Sequence, residues 1–190
     1  MSLFFAAAKA MTAQNSAASS FLTLLTVPKS PEALKSTAKI TVISPSGRHW
    51  HFKVEGVKLP IIILNDGRVV FAQVHELPAR SQLHTPGPPP LVQGPGMKET
   101  YAYIAILNPR TRTLKLLTSG YHSDIHPSAN SKGQICWTRV NATLLLDSYS
   151  FSQREGSVYL WDGKRVRRIS SRAYGKSRPQ INNRGEIVWH

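Results

Sequence analysis

Two stretches of this 190-residue chain match position by position at an offset of 52 residues. The first is His126-Pro127-Ser128-Ala129-Asn130-Ser131-Lys132-Gly133-Gln134-Ile135-Cys136-Trp137. The second is Arg178-Pro179-Gln180-Ile181-Asn182-Asn183-Arg184-Gly185-Glu186-Ile187-Val188-Trp189, and Pro, Asn, Gly, Ile and Trp coincide. Asp66-Gly67-Arg68-Val69-Val70-Phe71 is a third copy with Phe in place of Trp. Pro45-Ser46-Gly47-Arg48-His49-Trp50 reads as a degenerate fourth, one residue short. Such self-similarity means that one supersecondary unit recurs along the chain. Within it, Pro opens a short strand where no ladder donor is needed. Asn followed by Gly makes a tight turn with positive φ. The β-branched pair and the aromatic form the returning strand, whose large side chain packs against a neighbouring sheet. Trp137 and Trp189 are therefore expected to be equivalent, sheet-packed aromatics.

The intervening sequence supplies the rest of each unit. Ser157-Val158-Tyr159-Leu160-Trp161, a turn at Asp162-Gly163, and Arg165-Val166-Arg167-Arg168-Ile169-Ser170 predict two further strands after Trp137. Tyr101-Ala102-Tyr103-Ile104-Ala105-Ile106-Leu107 and Thr113-Leu114-Lys115-Leu116-Leu117-Thr118 form a similar pair. Pro60-Ile61-Ile62-Ile63-Leu64 is a continuous apolar run, as a strand buried on both faces would be. Each unit then reads as four short antiparallel strands. The fold class is all-β: an incomplete propeller-like array of two to three four-stranded blades, with a short N-terminal helical or disordered segment. Residues 39–190 hold the blades, and residues 76–100 are a Pro-rich loop, where Thr85-Pro86-Gly87-Pro88-Pro89-Pro90 and Gly94-Pro95-Gly96 hold neither ladder nor helix. Residues 1–38 are an Ala-, Ser- and Thr-rich tail or targeting segment, in which Phe4, Phe5, Ala8 and Met11 fit one helical stripe. Phe21 to Val27 is too short to span a bilayer. As an export signal it has the wrong flank, because the first positive charge, Lys9, follows the apolar residues Phe4 and Phe5.

The pattern Pro-x-Ile-Asn-x-x-Gly-x-Ile-Val-Trp, with the Tyr159-Leu160-Trp161-Asp162-Gly163 hairpin before it, resembles the TolB-like and WD40-like β-propeller repeats of bacteria. The resemblance covers about residues 59–190 and is closest at 158–190. It implies blade architecture, export to the periplasm or outside the cell, and a role as an interaction platform. At most three recognisable turn motifs fall short of the four blades that the smallest closed ring needs. The chain is accordingly expected to be a piece of a larger propeller, an open arc, or a protomer that completes its ring with copies of itself.

Twenty-four Lys and Arg against ten Asp and Glu give a net charge of +14. Such a field attracts polyanions. Lys164, Arg165, Arg167, Arg168, Arg172, Lys176, Arg178 and Arg184 run without an intervening acid and form the candidate polyanion contact; the competing reading is an edge strand charged against aggregation. His122, Asp124 and His126 put two imidazoles and a carboxylate in five residues, a candidate metal clamp that lacks a visible further ligand. His49 and His51 flank Trp50 and share one side of a strand. The single cysteine, Cys136, excludes an internal disulfide. There is no Walker or dinucleotide-type glycine loop, no Gly-x-Ser-x-Gly elbow, no Cys-x-x-Cys and no His-Glu-x-x-His, and the scattered acids do not supply paired carboxylates. No cofactor is implied. The leading expectation is a non-enzymatic module that binds a protein partner or itself. The alternatives are a basic module binding nucleic acid or another polyanion through 164–184, and part of a propeller-scaffold hydrolase or lyase.

Overall fold

The structure, a computed structural model, describes residues 9–12, 21–26, 37–78, 98–141, 155–170, 173–174 and 178–189. Every regular element in them is a β-strand. The first sheet runs β1 (Lys9–Thr12), β2 (Leu22–Thr26), β3 (Thr37–Ile43), β4 (His49–Glu55); the second runs β5 (Val57–Ile63), β6 (Val69–Pro78), β7 (Lys98–Asn108), β8 (Thr113–Leu116). The third runs β9 (Ser123–Ala129), β10 (Ile135–Val140), β11 (Glu155–Trp161), β12 (Val166–Arg168), with the short β13 (Ala173–Tyr174) also paired to β11. A hairpin of β14 (Gln180–Ile181) and β15 (Ile187–Val188) forms the fourth. All pairings are antiparallel, and the three larger sheets are open meanders in chain order: an incomplete array of four-stranded blades. No helix among the described residues is long and apolar enough to cross a membrane.

Two boundaries differ from the expectation. Met11 lies on β1, not on a helical stripe, and Phe21 leads into β2, which pairs with β3 along its whole length. Pairing of β1 on β2 and of β2 on β3 overrides local helical periodicity, because propensity is a weak prior beside tertiary pairing. Phe4, Phe5 and Ala8 lie outside the described residues. Glu76, Leu77 and Pro78 pair with Thr100, Glu99 and Lys98, so the Pro-rich segment begins and ends inside a ladder; its interior, residues 79–97, lies outside the described residues.

The recurring motif makes one recurring turn. In each copy the residue before the loop donates its N–H to the carbonyl four residues on, and the glycine donates back. The pairs are Asn130 N to Gln134 O (3.1 Å) with Gly133 N to Asn130 O (3.0 Å), and Asn182 N to Glu186 O with Gly185 N to Asn182 O (both 3.0 Å). Leu64 to Gly67 and Ser44 to Gly47 repeat the geometry. The four glycines have φ between 77° and 93°, which an L side chain rarely adopts. The Ser44–Gly47 copy, however, joins the third and fourth strands of its sheet, whereas the other three join the first and second. It is the same turn at a different place in the meander.

This turn sets which side chains face which neighbour. The first and third strand residues after it point back to the preceding sheet, and the residue between them points forward. Thus Val69 and Phe71 pack with Ile40, Val42 and Trp50 of the first sheet, while Val70 packs with Ile135 and Trp137 of the third. One repeat later, Ile135 and Trp137 point back, and Cys136 points forward to Ile181 and Ile187. The run 60–64 alternates likewise: Ile61 joins the first interface and Leu64 the second. Pro60 lies in the stretch between Lys58 and Ile62 where the β5–β6 register shifts, a position where a missing N–H is tolerated. First strands touch from sheet to sheet, β5 against β9 and β9 against β14.

The two tryptophans differ. Trp137 is fully buried, whereas Trp189 is 39% exposed beyond the two-residue β15. Trp137 has a complete four-stranded sheet to fill; Trp189 meets only what a hairpin covers. In urea unfolding at constant m, Trp137→Ala should lower stability by roughly 3–5 kcal/mol. Trp189→Ala should cost no more than about 1 kcal/mol. Equal losses would mean that the alternation of faces is not what buries Trp137.

Candidate functional site

A group of interacting polar and aromatic side chains lies where the second sheet meets the third. Asp124 on β9 stands directly opposite Arg139 on β10, and both point to the second sheet. Opposed residues of an antiparallel pair share a face. The Asp124 carboxylate, fully buried, accepts Arg139 Nε at 2.8 Å on one oxygen and Arg139 Nη2 at 2.9 Å on the other. Trp137 Nε1 donates to Asp124 Oδ1 at 2.9 Å. Trp137 in turn stacks on its cross-strand partner Tyr159, with centroids 6.1 Å apart, and the Arg139 guanidinium lies 4.2 Å over the Tyr159 ring.

From Asp124 the row continues to the second sheet. His122 Nε2 lies 3.2 Å from Asp124 Oδ2, an electrostatic contact and not an aligned hydrogen bond. The His122 ring meets Tyr103 edge-on at 6.3 Å, and Tyr103 lies 5.3 Å from His75. The Tyr103 hydroxyl donates to the Gly120 carbonyl, which ties the connector before β9 to β7. His75 Nε2 is buried with no hydrogen-bond partner.

The electrostatics make this a structural cluster first. Burial pushes the Asp124 carboxyl up, but contacts from His122 and Arg139, with Thr118, outweigh it and hold the group below its ordinary value of 3.8. Its lone pairs are committed to the Arg139 fork and the indole, so it is not a free general base. Cys136 is fully buried, and desolvation pushes its thiol up to about 12, far from the thiolate a nucleophile needs. Burial lowers His75 from 6.5.

His126 does not join His122 and Asp124 in a clamp. It sits with φ 52° at the bulge where His126 and Pro127 oppose Trp137 alone, and such a bulge re-aims a side chain. Among the described residues no three His, Cys, Asp or Glu side chains gather as a metal site. The basic run is spread over several elements. Lys164 and Arg165 lie in the β11–β12 turn, Arg167 and Arg168 occupy successive positions of the edge strand β12, Arg178 precedes β14, and Arg184 lies in the β14–β15 turn; all six are exposed. Arg172 and Lys176 lie outside the described residues. Sequence reasoning passed over Arg139. Its signal is a lone charge in the otherwise apolar and hydroxyl-bearing strand Ile135–Val140, with an acid at the matching position of the strand before it.

The chain matches no protein-family model, and no curated protein matches it.

Removing one partner of a buried pair strands the other. Asp124→Asn should therefore destabilise by roughly 3–5 kcal/mol, measured by chemical unfolding. The signs for acid agree. Both His75 and Asp124 have folded pKa values below their unfolded ones, so the unfolded chain binds more protons. Stability should decline as pH falls below 6.5, through His75, and again below 3.8, through Asp124. His75→Gln should abolish the first decline and leave the second. A profile flat from pH 7 to 4 in the unsubstituted protein would contradict this.

Proposed function

We propose that this chain is a non-enzymatic interaction module of propeller-blade type, which engages a protein partner or a further copy of itself through an exposed sheet edge. The observation that carries the reading is the edge at β15. Ile187 and Ile181 pack against the third sheet, while Val188 is 67% exposed and no further strand pairs with β15 among the described residues. An apolar strand with main-chain donors and acceptors on an open side is suited to strand addition: backbone hydrogen bonds supply affinity, and alternate side chains supply specificity. The recurring turn, the four-stranded meanders and the touching first strands add to the resemblance to TolB-like and WD40-like repeats. The groups best able to do chemistry, Asp124 and Cys136, are absorbed into packing and ion pairing.

Sedimentation across a range of concentrations tests the reading, with Val188→Lys as the comparison, because a lysine on an edge opposes pairing. The unsubstituted chain should associate or bind a hydrophobic dye, and Val188→Lys should reduce both. A monodisperse monomer that binds no dye would remove the reading.

A further inference from the structure

The first and third hairpins of a meander emerge at the same end of its sheet, and here those ends lie side by side. Asn65 Nδ2 donates to Ser131 O at 3.3 Å, joining the turns of the second and third sheets. Asn130 Nδ2 donates to Asn182 O at 3.0 Å and Ser131 N to Asn183 Oδ1 at 2.9 Å, joining the third to the fourth. Phe21 of the first sheet lies against Gly67, with the Arg110 guanidinium 5.9 Å over its ring. The turns thus form one continuous end face.

Charge is segregated along the strands. Glu55, Glu76, Glu99 and Asp124 lie toward the opposite end of their strands. At the turn end the described acids are Asp66, Asp162 and Glu186, and each is held by an arginine of its own turn, Arg68, Arg165 or Arg184. Five exposed cations there, Arg48, Arg110, Arg112, Lys132 and Lys164, have no acidic partner among the described residues. Three of them lie over aromatic rings: Arg48 over Trp50 at 5.1 Å, Arg110 over Phe21 and Arg112 over Phe52 at 5.4 Å. A guanidinium held over a ring is restrained in advance, and these three are exposed to solvent.

We infer that the turn end of the stack binds the phosphate backbone of a nucleic acid. Guanidinium forks match phosphate oxygens two at a time. Sheets pack about 10 Å apart, so cations carried on the turns of successive sheets recur at about that spacing. That arrangement fits a linear phosphodiester, read through its backbone without base contacts. The site is separate from the β15 edge, and the Arg167–Arg168 strand is not part of it.

Fluorescence anisotropy with a labelled 20-nucleotide DNA, single-stranded and duplex, across a salt series tests this. Arg110→Gln with Arg112→Gln should weaken binding about tenfold or more and lower the salt slope by about 1.4–1.8, since each phosphate contact contributes about 0.7–0.9. Arg167→Gln with Arg168→Gln removes the same charge from β12 and should change affinity less than about threefold. Arg110→Lys with Arg112→Lys should retain the slope while losing part of the affinity, because the charge stays and the fork goes. Circular dichroism checks that the variants fold. Failure to bind DNA at about 0.1 M salt, equal losses from the two Gln pairs, or binding of heparin without DNA would each overturn the inference.

Discussion

A strand leaving Gly133 places Ile135 and Trp137 on one face and Cys136 on the other, and both faces are buried. A slip of one residue would invert that assignment and present every large side chain to the wrong neighbour. The left-handed glycine prevents the slip by closing each turn with the same two backbone hydrogen bonds. Because the same device stands at Gly67 and Gly185, the faces agree from sheet to sheet. The two interfaces flanking the second sheet can therefore both be dry. Close packing then makes the sheets depend on one another, since neither the Val69–Gln73 part of β6 nor β10 has a solvent face on which to tolerate a change.

Against this apolar background the Asp124 cluster is an exception with a consequence. A buried ion pair is weak evidence for stability, because desolvation offsets most of its attraction. Its geometry is nonetheless specific. The fork of Arg139, the indole of Trp137 and the ring of Tyr159 meet only when β9, β10 and β11 are in register, bulge included. A polar cluster of this kind penalises wrong pairings more than it rewards the right one. It also joins the third sheet to the second through His122 and Tyr103.

The two surfaces with functional potential follow from the same architecture. Stacking in register leaves edges at the sides, of which β15 is the most apolar, and an end face on which turns accumulate. Local pairing inside the turns, as between Asp66 and Arg68, neutralises the acids there and leaves other cations facing solvent. Net charge becomes a directional field only because the strands carry most of their remaining acids toward the far end.

The amino-acid sequence by itself determined the units. Glycine at a fixed place after Asn or its equivalent, β-branched residues and an aromatic after it, and paired apolar runs between are local signals, and local signals specify turns and strands. The composition of the third sheet, from the His126–Ala129 strand to the Arg165–Ser170 strand, was legible in this way. Tertiary structure decided what lies beside what. Only pairing into the first sheet, β2 on β3 and β1 on β2, makes strands of residues 22–26 and 9–12, and only the place of the hairpin in its sheet separates the Ser44–Gly47 turn from its counterparts. Arg139 found Asp124 across a ladder, and His126 left His122 at a bulge. The six described cations of the 164–184 run were distributed over several elements, while Arg48, Arg110 and Arg112, far apart in sequence, arrived at one end. Contacts of long sequence separation depend on register and stacking, and no short window of residues encodes either.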